Sequence, residues 1–387
     1  MAEDIIRTSA VEVAMRRTPR HLFLRGAGQE CADETAFTKT DAHGTSISAA
    51  SQPRIVAMML EQLAVRPGQR VLEVGSGTGY NAALLAAIVG DTGRVVTIDV
   101  DEDLVEKARR HLAVANVTNV DVVPGDEALG YAKGAPYDRI IATVGAYETP
   151  TAWLEQLAPD GRLVVPLRLR GAASRSIIFE RSEGGWRDQG SELAMFMPLR
   201  GIGDDARRLV SLTPEQDVIL QVHNDQDVDA AALAGVLETE GRKIWTDVFF
   251  PPMVPYEWMD LWLACRLDNA IMRMNVQPTA VQRGAVTPMF QWGAMATTRG
   301  ADLAYLTTRP TPARPDGSKL YEVGVIGHGP NGRDLAYHVS EEIRAWNATY
   351  RSGSVRFDIS NAPVRADTSV GRFVLARRHH PITVAWQ

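Results

Sequence analysis

The most restrictive feature of this sequence is a regular alternation of short apolar runs and helical stretches between about residues 70 and 167. Strands separated by helices need right-handed crossovers, and such a sheet is parallel and covered on both faces. The pattern therefore predicts a doubly wound, Rossmann-like α/β domain. Strands are predicted at 71–74, 95–100, 120–126, 139–144 and 163–167, and helices at 81–89, 102–115 and 151–157.

The residues before this region predict short helices and a long loop. Residues 5–24 carry apolar positions at helical spacing that Pro19 interrupts, which indicates one or two short helices. Residues 26–51 are rich in Gly, Ala, Ser, Thr and Asp, and they predict a loop. Loops of this length are often substrate lids. Pro53 then begins a helix that Pro67-Gly68 ends.

The second half of the chain has a different character, because its predicted strands come in pairs and the alternation is lost. A length of 387 residues favours two domains, which we place at 1–203 and 204–387. The second is expected to be an α+β domain that binds a peptide or forms oligomers. Its strands are predicted at 217–223, 243–250, 302–308, 320–327, 355–360, 372–378 and 382–386, and its helices at 228–238, 256–267 and 333–346.

A glycine-rich turn lies where the first predicted strand meets the first helix, in VLEVGSGTGYNAALLA. Glycines there permit a tight turn and a close approach of a ligand to the backbone. A dinucleotide-binding turn would have its third glycine at the position of Tyr80, so a nicotinamide or flavin cofactor is disfavoured. Glu73 at the strand end would repel a pyrophosphate, but it suits the ammonium and sulfonium groups of S-adenosylmethionine.

Two further acids follow the next two predicted strands, Asp99 and Asp126. A carboxylate at Asp99 can accept both ribose hydroxyls, and Asp126 is expected near the adenine amino group. Each acid alone could be a solvated residue at a strand end, and Tyr80 and Asn81 could serve only packing and helix initiation. Ligands of doubly wound sheets bind outside these strand ends, which favours a cofactor site. Its predicted residues are Glu73, Gly75, Ser76, Gly77, Thr78, Gly79, Tyr80, Asn81, Asp99, Val100, Gly125, Asp126 and Glu127.

Composition excludes several other functions. The two cysteines, Cys31 and Cys265, lie far apart and fit no zinc spacing or disulfide framework, so no metal is expected. The N-terminal residues lack a basic start followed by an apolar run, and no stretch has the length of a membrane span. We therefore expect a cytoplasmic protein without a membrane partner. The net charge of −6 also makes nucleic acid an unfavourable partner.

The motifs resemble those of the protein L-isoaspartyl O-methyltransferases over about 200 residues. The resemblance includes the glycine turn, Gly125-Asp126 and APYDRIIAT at 135–143, which is similar to the fourth-strand signature of that family. The segments AMRRTPRHLFL (14–24), SQPRIVAMMLEQL (51–63), GRLVVP (161–166) and FMPL (196–199) match as well. This resemblance implies that S-adenosylmethionine is the cofactor, that S-adenosylhomocysteine is its product, and that a carboxylate is the acceptor.

The resemblance also implies where the acceptor binds. That family has a hydroxyl near the acceptor carboxylate, and both Ser48 and Ser51 could occupy that place; we favour Ser51 because Gln52-Pro53 follows it. A serine here could instead cap the next helix, and the two roles are compatible. Thr143 is expected to border the acceptor. A carboxylate is already ionised at neutral pH, so no general base is needed.

The length of the chain departs from that of the repair enzymes, because almost 190 residues follow the predicted first domain. In this respect the chain is similar to the longer methyltransferases of ribosomal peptide pathways, including FxLD-type lanthipeptide systems. That resemblance implies methylation of an aspartate in a precursor peptide that another enzyme has already crosslinked, followed by aspartimide and then isoaspartate formation. The alternatives are repair of isoaspartyl residues, a non-catalytic peptide-binding protein, and methylation of an amino group in nucleic acid or a metabolite.

Overall fold

The computed structural model of the protein describes residues 5–24, 33–40, 46–200, 207–312, 318–364 and 369–387. The helices are α1 (Ser9–Arg17), α2 (Pro53–Leu63), α3 (Tyr80–Val89), α4 (Glu102–Val114), α5 (Thr151–Gln156), α6 (Glu257–Arg266), α7 (Pro278–Gln282) and α8 (Gly332–Thr349). Among the described residues, no helix has both the length and the apolar character needed to cross a membrane.

The strands alternate with these helices in the first half of the chain and follow one another more closely in the second. They are β1 (Ala36–Thr40), β2 (Ser46–Ala50), β3 (Arg70–Val74), β4 (Arg94–Asp99), β5 (Val120–Pro124), β6 (Tyr137–Ala142), β7 (Leu157–Arg170), β8 (Ala173–Ser182), β9 (Gly185–Leu193), β10 (Arg207–Ser211), β11 (Val218–His223), β12 (Arg242–Phe250), β13 (Met272–Val276), β14 (Gly293–Arg299), β15 (Asp302–Pro310), β16 (Tyr321–His328), β17 (Val355–Ser360), β18 (Arg372–Leu375) and β19 (Ile382–Trp386).

The larger sheet has ten strands in the order β18-β19-β17-β9-β8-β7-β6-β3-β4-β5. Strands β3 to β7 pair in parallel, with β3 at the centre between β4 and β6. Helices connect these strands, and the residues of β3 are buried from Val71 to Val74. This arrangement confirms the predicted doubly wound α/β fold, and it brings the carboxyl ends of β3, β4 and β5 together at one edge.

The second sheet has seven antiparallel strands in the order β10-β11-β13-β14-β15-β16-β12. Helix α8 packs against β12, β15 and β16, so this part of the chain is α+β as expected. The last three strands do not join this sheet, because β17 pairs with β9 and β19 pairs with β17 in the larger one. The predicted boundary at 203/204 lies outside the described residues, and the division into 1–203 and 204–387 remains a prediction.

Two local predictions are wrong. Within the predicted loop at 26–51, β1 and β2 pair antiparallel, with Ala36 opposite Ala50. Small and hydroxyl side chains dominate both strands, so the apolar alternation that marks a half-buried strand is weak. The predicted helix at 228–238 is mostly turns, with one short 3₁₀ helix at its end. The Asp229 side chain accepts from two nearby backbone amides there, and Gly235 adopts φ of 73°, which together interrupt a regular helix.

Candidate active site

The turn between β3 and α3 has the backbone geometry that only glycine adopts readily. Gly75 has φ of 98° and Gly77 has φ of 47°. A Cβ atom on Gly75 would lie 2.8 Å from the Thr143 hydroxyl oxygen and 2.9 Å from a Val144 methyl carbon. A Cβ atom on Gly77 would meet nothing within 4 Å. The first glycine is therefore required for packing, whereas the second leaves open space beside the backbone.

Glu73 ends β3 beneath this turn and is almost fully buried, with 1% of its surface exposed. Its Oε1 accepts a hydrogen bond of 2.8 Å from the Asn81 side chain. The side chains of Thr97 and Asn81 both favour the ionised form of this carboxyl. Burial raises the pKa of Glu73 to about 7. Because Glu73 lines a small cavity beside the turn, its ionised carboxylate fits a cationic group, as the ammonium group of S-adenosylmethionine would be.

Asp99 ends β4 and is held from several sides. Its Oδ2 accepts from the Gly77 backbone amide at 3.0 Å and from the Ser76 hydroxyl at 3.3 Å. The backbone amide of Gly125 donates to the Asp99 carbonyl at 3.0 Å, which ties the ends of β4 and β5 together. Asp99 is 3% exposed, yet it lines a large cavity at this edge of the sheet. This placement is compatible with the predicted contact to ribose hydroxyls.

Asp126 and Glu127 take different places beyond β5. The Asp126 side chain caps the following 3₁₀ turn by accepting from the Ala128 amide at 2.9 Å. Glu127 is 2% exposed and lines the same large cavity as Asp99. Burial and the charge of Asp99 raise the pKa of Glu127 to about 8. The geometry thus makes Glu127, rather than Asp126, the acidic side chain of this loop that faces the cavity.

The remaining predicted cofactor residues surround the turn. Tyr80 is buried against Phe23, with ring centroids 5.5 Å apart, and the Thr78 carbonyl lies 2.9 Å from a ring nitrogen of His111. Val100 is half-buried directly after Asp99, and Gly79 precedes α3 as its N-cap. The packing role considered for Tyr80 is therefore present in the structure.

Two adjoining cavities meet at the turn. The larger encloses about 1160 Å³ and the smaller about 60 Å³. Glu73, Thr78 and Asn81 line the smaller cavity, whereas Asp99 and Glu127 line the larger one. Both cavities share the residues Ala49, Ser51, Gly75, Gly77, Thr143 and Phe196. An elongated ligand with a cationic group beside Glu73 would extend from the smaller cavity into the larger one.

The three predicted acceptor residues lie together but differ in their bonding. The Ser48 hydroxyl accepts from the Thr38 hydroxyl at 2.9 Å. The Thr143 hydroxyl donates to the Gly75 carbonyl at 2.7 Å, so it holds the turn. No hydrogen bond involves the Ser51 hydroxyl among the residues that the structure describes, and Gln52 rather than Ser51 is the N-cap of α2. Ser51 is therefore the hydroxyl that remains free to contact a ligand.

Arg200 is a site residue that the sequence did not indicate. Its Nη2 lies 3.6 Å from Asp99 Oδ1, and its Nη1 lies 3.2 Å from Asp101 Oδ2. Lys39 on β1 also reaches Asp101, at 2.7 Å, and these contacts lower the pKa of Asp101 against the effect of its burial. The hairpin of β1 and β2 and the segment after β9 are thereby tied to the loop after β4. Such contacts between distant segments leave no local signal in a sequence.

The second sheet and the loops beside it form the far wall of the larger cavity. Tyr256, one of the aromatic residues near α6, lines this wall, whereas Trp262 is 1% exposed and belongs to the core. Arg175 on β8 and Arg273 on β13 also face the cavity. Residues from both halves of the chain thus line one half-open cavity that begins at the glycine turn.

The buried carboxylates predict a pH dependence of ligand binding. The pKa of Glu73 is near 7 in the folded protein and 4.5 in the absence of burial, so between these values the folded state binds more protons than the unfolded state. Stability of the unliganded protein is therefore expected to fall as pH rises through this range. Affinity for a cationic ligand is expected to rise from about pH 6 to about pH 7.5, because the ionised carboxylate of Glu73 attracts the cation.

Calorimetric titration with S-adenosylhomocysteine across this range checks the prediction. The variant Glu73→Gln provides the control, because it cannot titrate and should lose the part of the pH dependence that Glu73 contributes. An affinity that does not change with pH in the wild-type protein would contradict the role of Glu73.

Comparison with known proteins gives a consistent result. The family model described as "Protein-L-isoaspartate(D-aspartate) O-methyltransferase (PCMT)" matches residues 1–202. A protein-L-isoaspartate O-methyltransferase 2 of Archaeoglobus fulgidus is 39% identical over 205 residues, which cover 52% of this chain and 90% of the relative. A protein-L-isoaspartate O-methyltransferase of Methanothrix thermoacetophila is 40% identical over 188 residues, with 49% and 86% covered. A solved structure titled protein-L-isoaspartate O-methyltransferase aligns at 19% identity and a TM-score of 0.49, covering 93% of this chain and 96% of that one.

Proposed function

The chain belongs to the protein-L-isoaspartate(D-aspartate) O-methyltransferase family, and from this premise we propose that its acceptor is the side-chain carboxylate of an aspartate in a dedicated peptide. The enzyme is a carboxyl O-methyltransferase and its cofactor is S-adenosylmethionine. The peptide proposed is the precursor of a modified ribosomal product, already crosslinked by another enzyme. The second candidate is repair of isoaspartyl residues, which the names of the relatives favour.

The chemistry needs alignment more than acid–base catalysis. When bound, the cofactor supplies an electrophilic methyl group on a sulfonium. The acceptor carboxylate oxygen forms a bond to that methyl carbon while the bond from carbon to sulfur breaks, and the electron pair stays on sulfur. No proton moves, because the carboxylate is ionised before the reaction.

The residues of the site serve this alignment. Glu73 would hold the ammonium end of the cofactor and Asp99 its ribose, and the open space beside Gly77 lets the ligand lie against the backbone. The Ser51 hydroxyl, which borders both cavities, is placed to donate to an acceptor carboxylate. Orientation of this kind can contribute roughly 7–11 kcal/mol to lowering a barrier. The methyl ester is then attacked by the backbone nitrogen of the following residue, which expels methanol and forms the aspartimide.

One observation carries the proposal of a dedicated peptide. A repair enzyme must accept damaged segments of many proteins, which favours an open acceptor site. Here the second sheet forms one wall of a half-open cavity of about 1160 Å³ in front of the glycine turn. A wall of this kind supports selection of a particular peptide over general access.

A comparison of two matched peptides tests the proposal. One contains a single aspartyl residue and the other an isoaspartyl residue at the same position, and kcat/KM is measured with methyl-labelled S-adenosylmethionine. Our proposal predicts methylation of the aspartyl peptide. A strong preference for the isoaspartyl peptide would instead establish the repair candidate.

The roles of the two serines can be separated with the better peptide of that pair. Ser51→Ala is expected to lower kcat/KM by about tenfold to hundredfold, since a hydrogen bond to a charged group contributes roughly 1.5–3 kcal/mol. Ser48→Ala, the matched control, should have a smaller effect because its hydroxyl is already bonded to Thr38. Affinity for S-adenosylhomocysteine should stay unchanged in both variants. A larger loss with Ser48→Ala would transfer the acceptor role to that residue.

A further inference from the structure

The wall of the larger cavity contains an arginine without an acidic partner. Arg273 lies on β13, faces the cavity and is half-buried. Its Nη2 lies 2.8 Å from the sulfur of Met195, and no carboxylate of the described residues is within ion-pair distance of its guanidinium. A cation held in this way retains hydrogen-bond donors for a ligand.

The other arginines of the cavity are all paired. Arg175 lies 2.8 Å from a Glu257 carboxylate oxygen, Arg200 binds Asp101, and Arg54 lies 3.7 Å from Asp33. These pairs neutralise charge within the cavity wall or at its edge. Arg273 is therefore the cavity arginine, among the described residues, whose charge is open to a ligand.

The nearest acidic influence on Arg273 comes from Asp260, which attracts it without reaching ion-pair distance. One oxygen of Asp260 is inaccessible and unpaired, and burial raises the pKa of this carboxyl to about 7. Near neutral pH the carboxyl is thus only partly ionised. The guanidinium of Arg273 stays charged because its pKa, although lowered by burial, starts from 12.5.

An apolar rim surrounds this arginine at the cavity mouth. Trp292 is 57% exposed and stacks on Phe290, with ring centroids 5.0 Å apart and planes 4° apart. The Arg273 guanidinium lies 5.8 Å from the centre of the Trp292 ring. Large apolar side chains that remain exposed together mark a binding surface. The exposed apolar members of this rim are Leu193, Met195, Met253, Val254, Phe290 and Trp292.

We propose that Arg273 and this rim form a subsite for a second carboxylate of the peptide substrate, one that apolar side chains flank. The inference rests on the proposed function, because the same cavity continues from the rim to the glycine turn. The carboxylate bound here is not the one that is methylated. The acceptor loses its negative charge as the ester forms, so an ion pair to it would stabilise the ground state more than the transition state.

Equilibrium binding tests this subsite without requiring turnover. Each peptide has blocked termini and one aspartyl residue between apolar residues. A second position holds either Glu or Gln. Across the series this position ranges from three residues before the aspartyl residue to three residues after it. One further set of peptides has a free C-terminal carboxylate. Calorimetry is performed on protein saturated with S-adenosylhomocysteine. The best Glu peptide is expected to bind about tenfold more tightly than its Gln counterpart.

The variants then assign the effect to Arg273. Arg273→Met should abolish the preference for Glu, and Arg273→Lys should retain part of it. Arg299→Met, at an exposed position of the same sheet outside the cavity, is the matched control and should behave as wild type. Melting temperature and S-adenosylhomocysteine affinity are measured for each variant to show that it is folded.

The outcomes separate this inference from the proposed function. A Glu preference that persists in Arg273→Met, or a wild-type protein without any preference among these peptides, overturns the subsite. Preference limited to the free C-terminal carboxylate supports the subsite and identifies its ligand as a chain terminus. Failure of S-adenosylhomocysteine to bind would instead count against the proposed function.

Discussion

Replacing Glu73 with glutamine is expected to weaken S-adenosylhomocysteine binding by about tenfold to hundredfold, since a hydrogen bond to a charged group contributes roughly 1.5–3 kcal/mol. The same change should leave the unliganded protein at least as stable as wild type. Glutamine keeps an oxygen that can accept from Asn81, and it removes a buried carboxylate whose pKa is raised to about 7. Binding and stability should therefore change in opposite directions.

Calorimetric titration and thermal unfolding measure these two quantities. Glu155→Gln is the matched control, because Glu155 is exposed on α5 and lies outside both cavities. It should leave affinity and stability unchanged. An unaltered affinity in Glu73→Gln, or a large loss of stability, would show that Glu73 is a structural residue and not a ligand of the ammonium group.

The second large effect is expected from Gly75→Ala. The residue would have to keep φ of 98°, and its new Cβ would lie 2.8 Å from the Thr143 oxygen. The backbone conformation costs roughly 1–3 kcal/mol and the overlap a similar amount. Because the Thr143 hydroxyl also donates to the Gly75 carbonyl, the strain affects both the glycine turn and Thr143, which is expected to border the acceptor. We expect kcat/KM to fall by at least about a hundredfold.

Gly184→Ala is the matched control for the backbone cost. Gly184 has φ of 78° in an exposed turn, and a Cβ there meets nothing within 4 Å. This variant should lose some stability but keep full activity. Activity in Gly75→Ala that equals that of Gly184→Ala would contradict the close packing described for the turn.

The sequence could predict which residues gather at the glycine turn because their signals are local. Glu73 is the penultimate residue of β3, Gly75 directly follows that strand, and Asp99 ends the next strand along the chain. Topological rules then bring parallel strand ends to the same edge. The short separation between these residues made their proximity predictable without coordinates.

The sequence could not predict contacts between distant segments. The guanidinium of Arg377, far along the chain, lies 4.0 Å from the centre of the Tyr147 ring and donates to the Tyr147 carbonyl at 2.9 Å. Arg200 and Arg273 likewise reach the site from outside the glycine-turn region. Strand pairing that follows no chain order, such as β17 beside β9, has no periodic signal of its own.

The two adjacent acids Asp126 and Glu127 show the same limit of sequence-based prediction. Both residues follow β5, and the sequence does not show which of two adjacent acids points into a cavity. The turn directs the Asp126 side chain to the Ala128 amide, which leaves Glu127 facing the space beside Asp99. Side-chain direction in an irregular turn depends on backbone angles that no pattern of residue types determines.

The central claim is transfer of a methyl group from S-adenosylmethionine to a peptide carboxylate. The most direct test is mass spectrometry of an aspartyl peptide after incubation with enzyme and methyl-labelled cofactor, before and after mild base. We predict a gain of one methyl group on the aspartyl residue, which base removes as labelled methanol with formation of aspartimide or isoaspartate. A methyl group that survives base treatment, or one located on an amino group, would contradict this account.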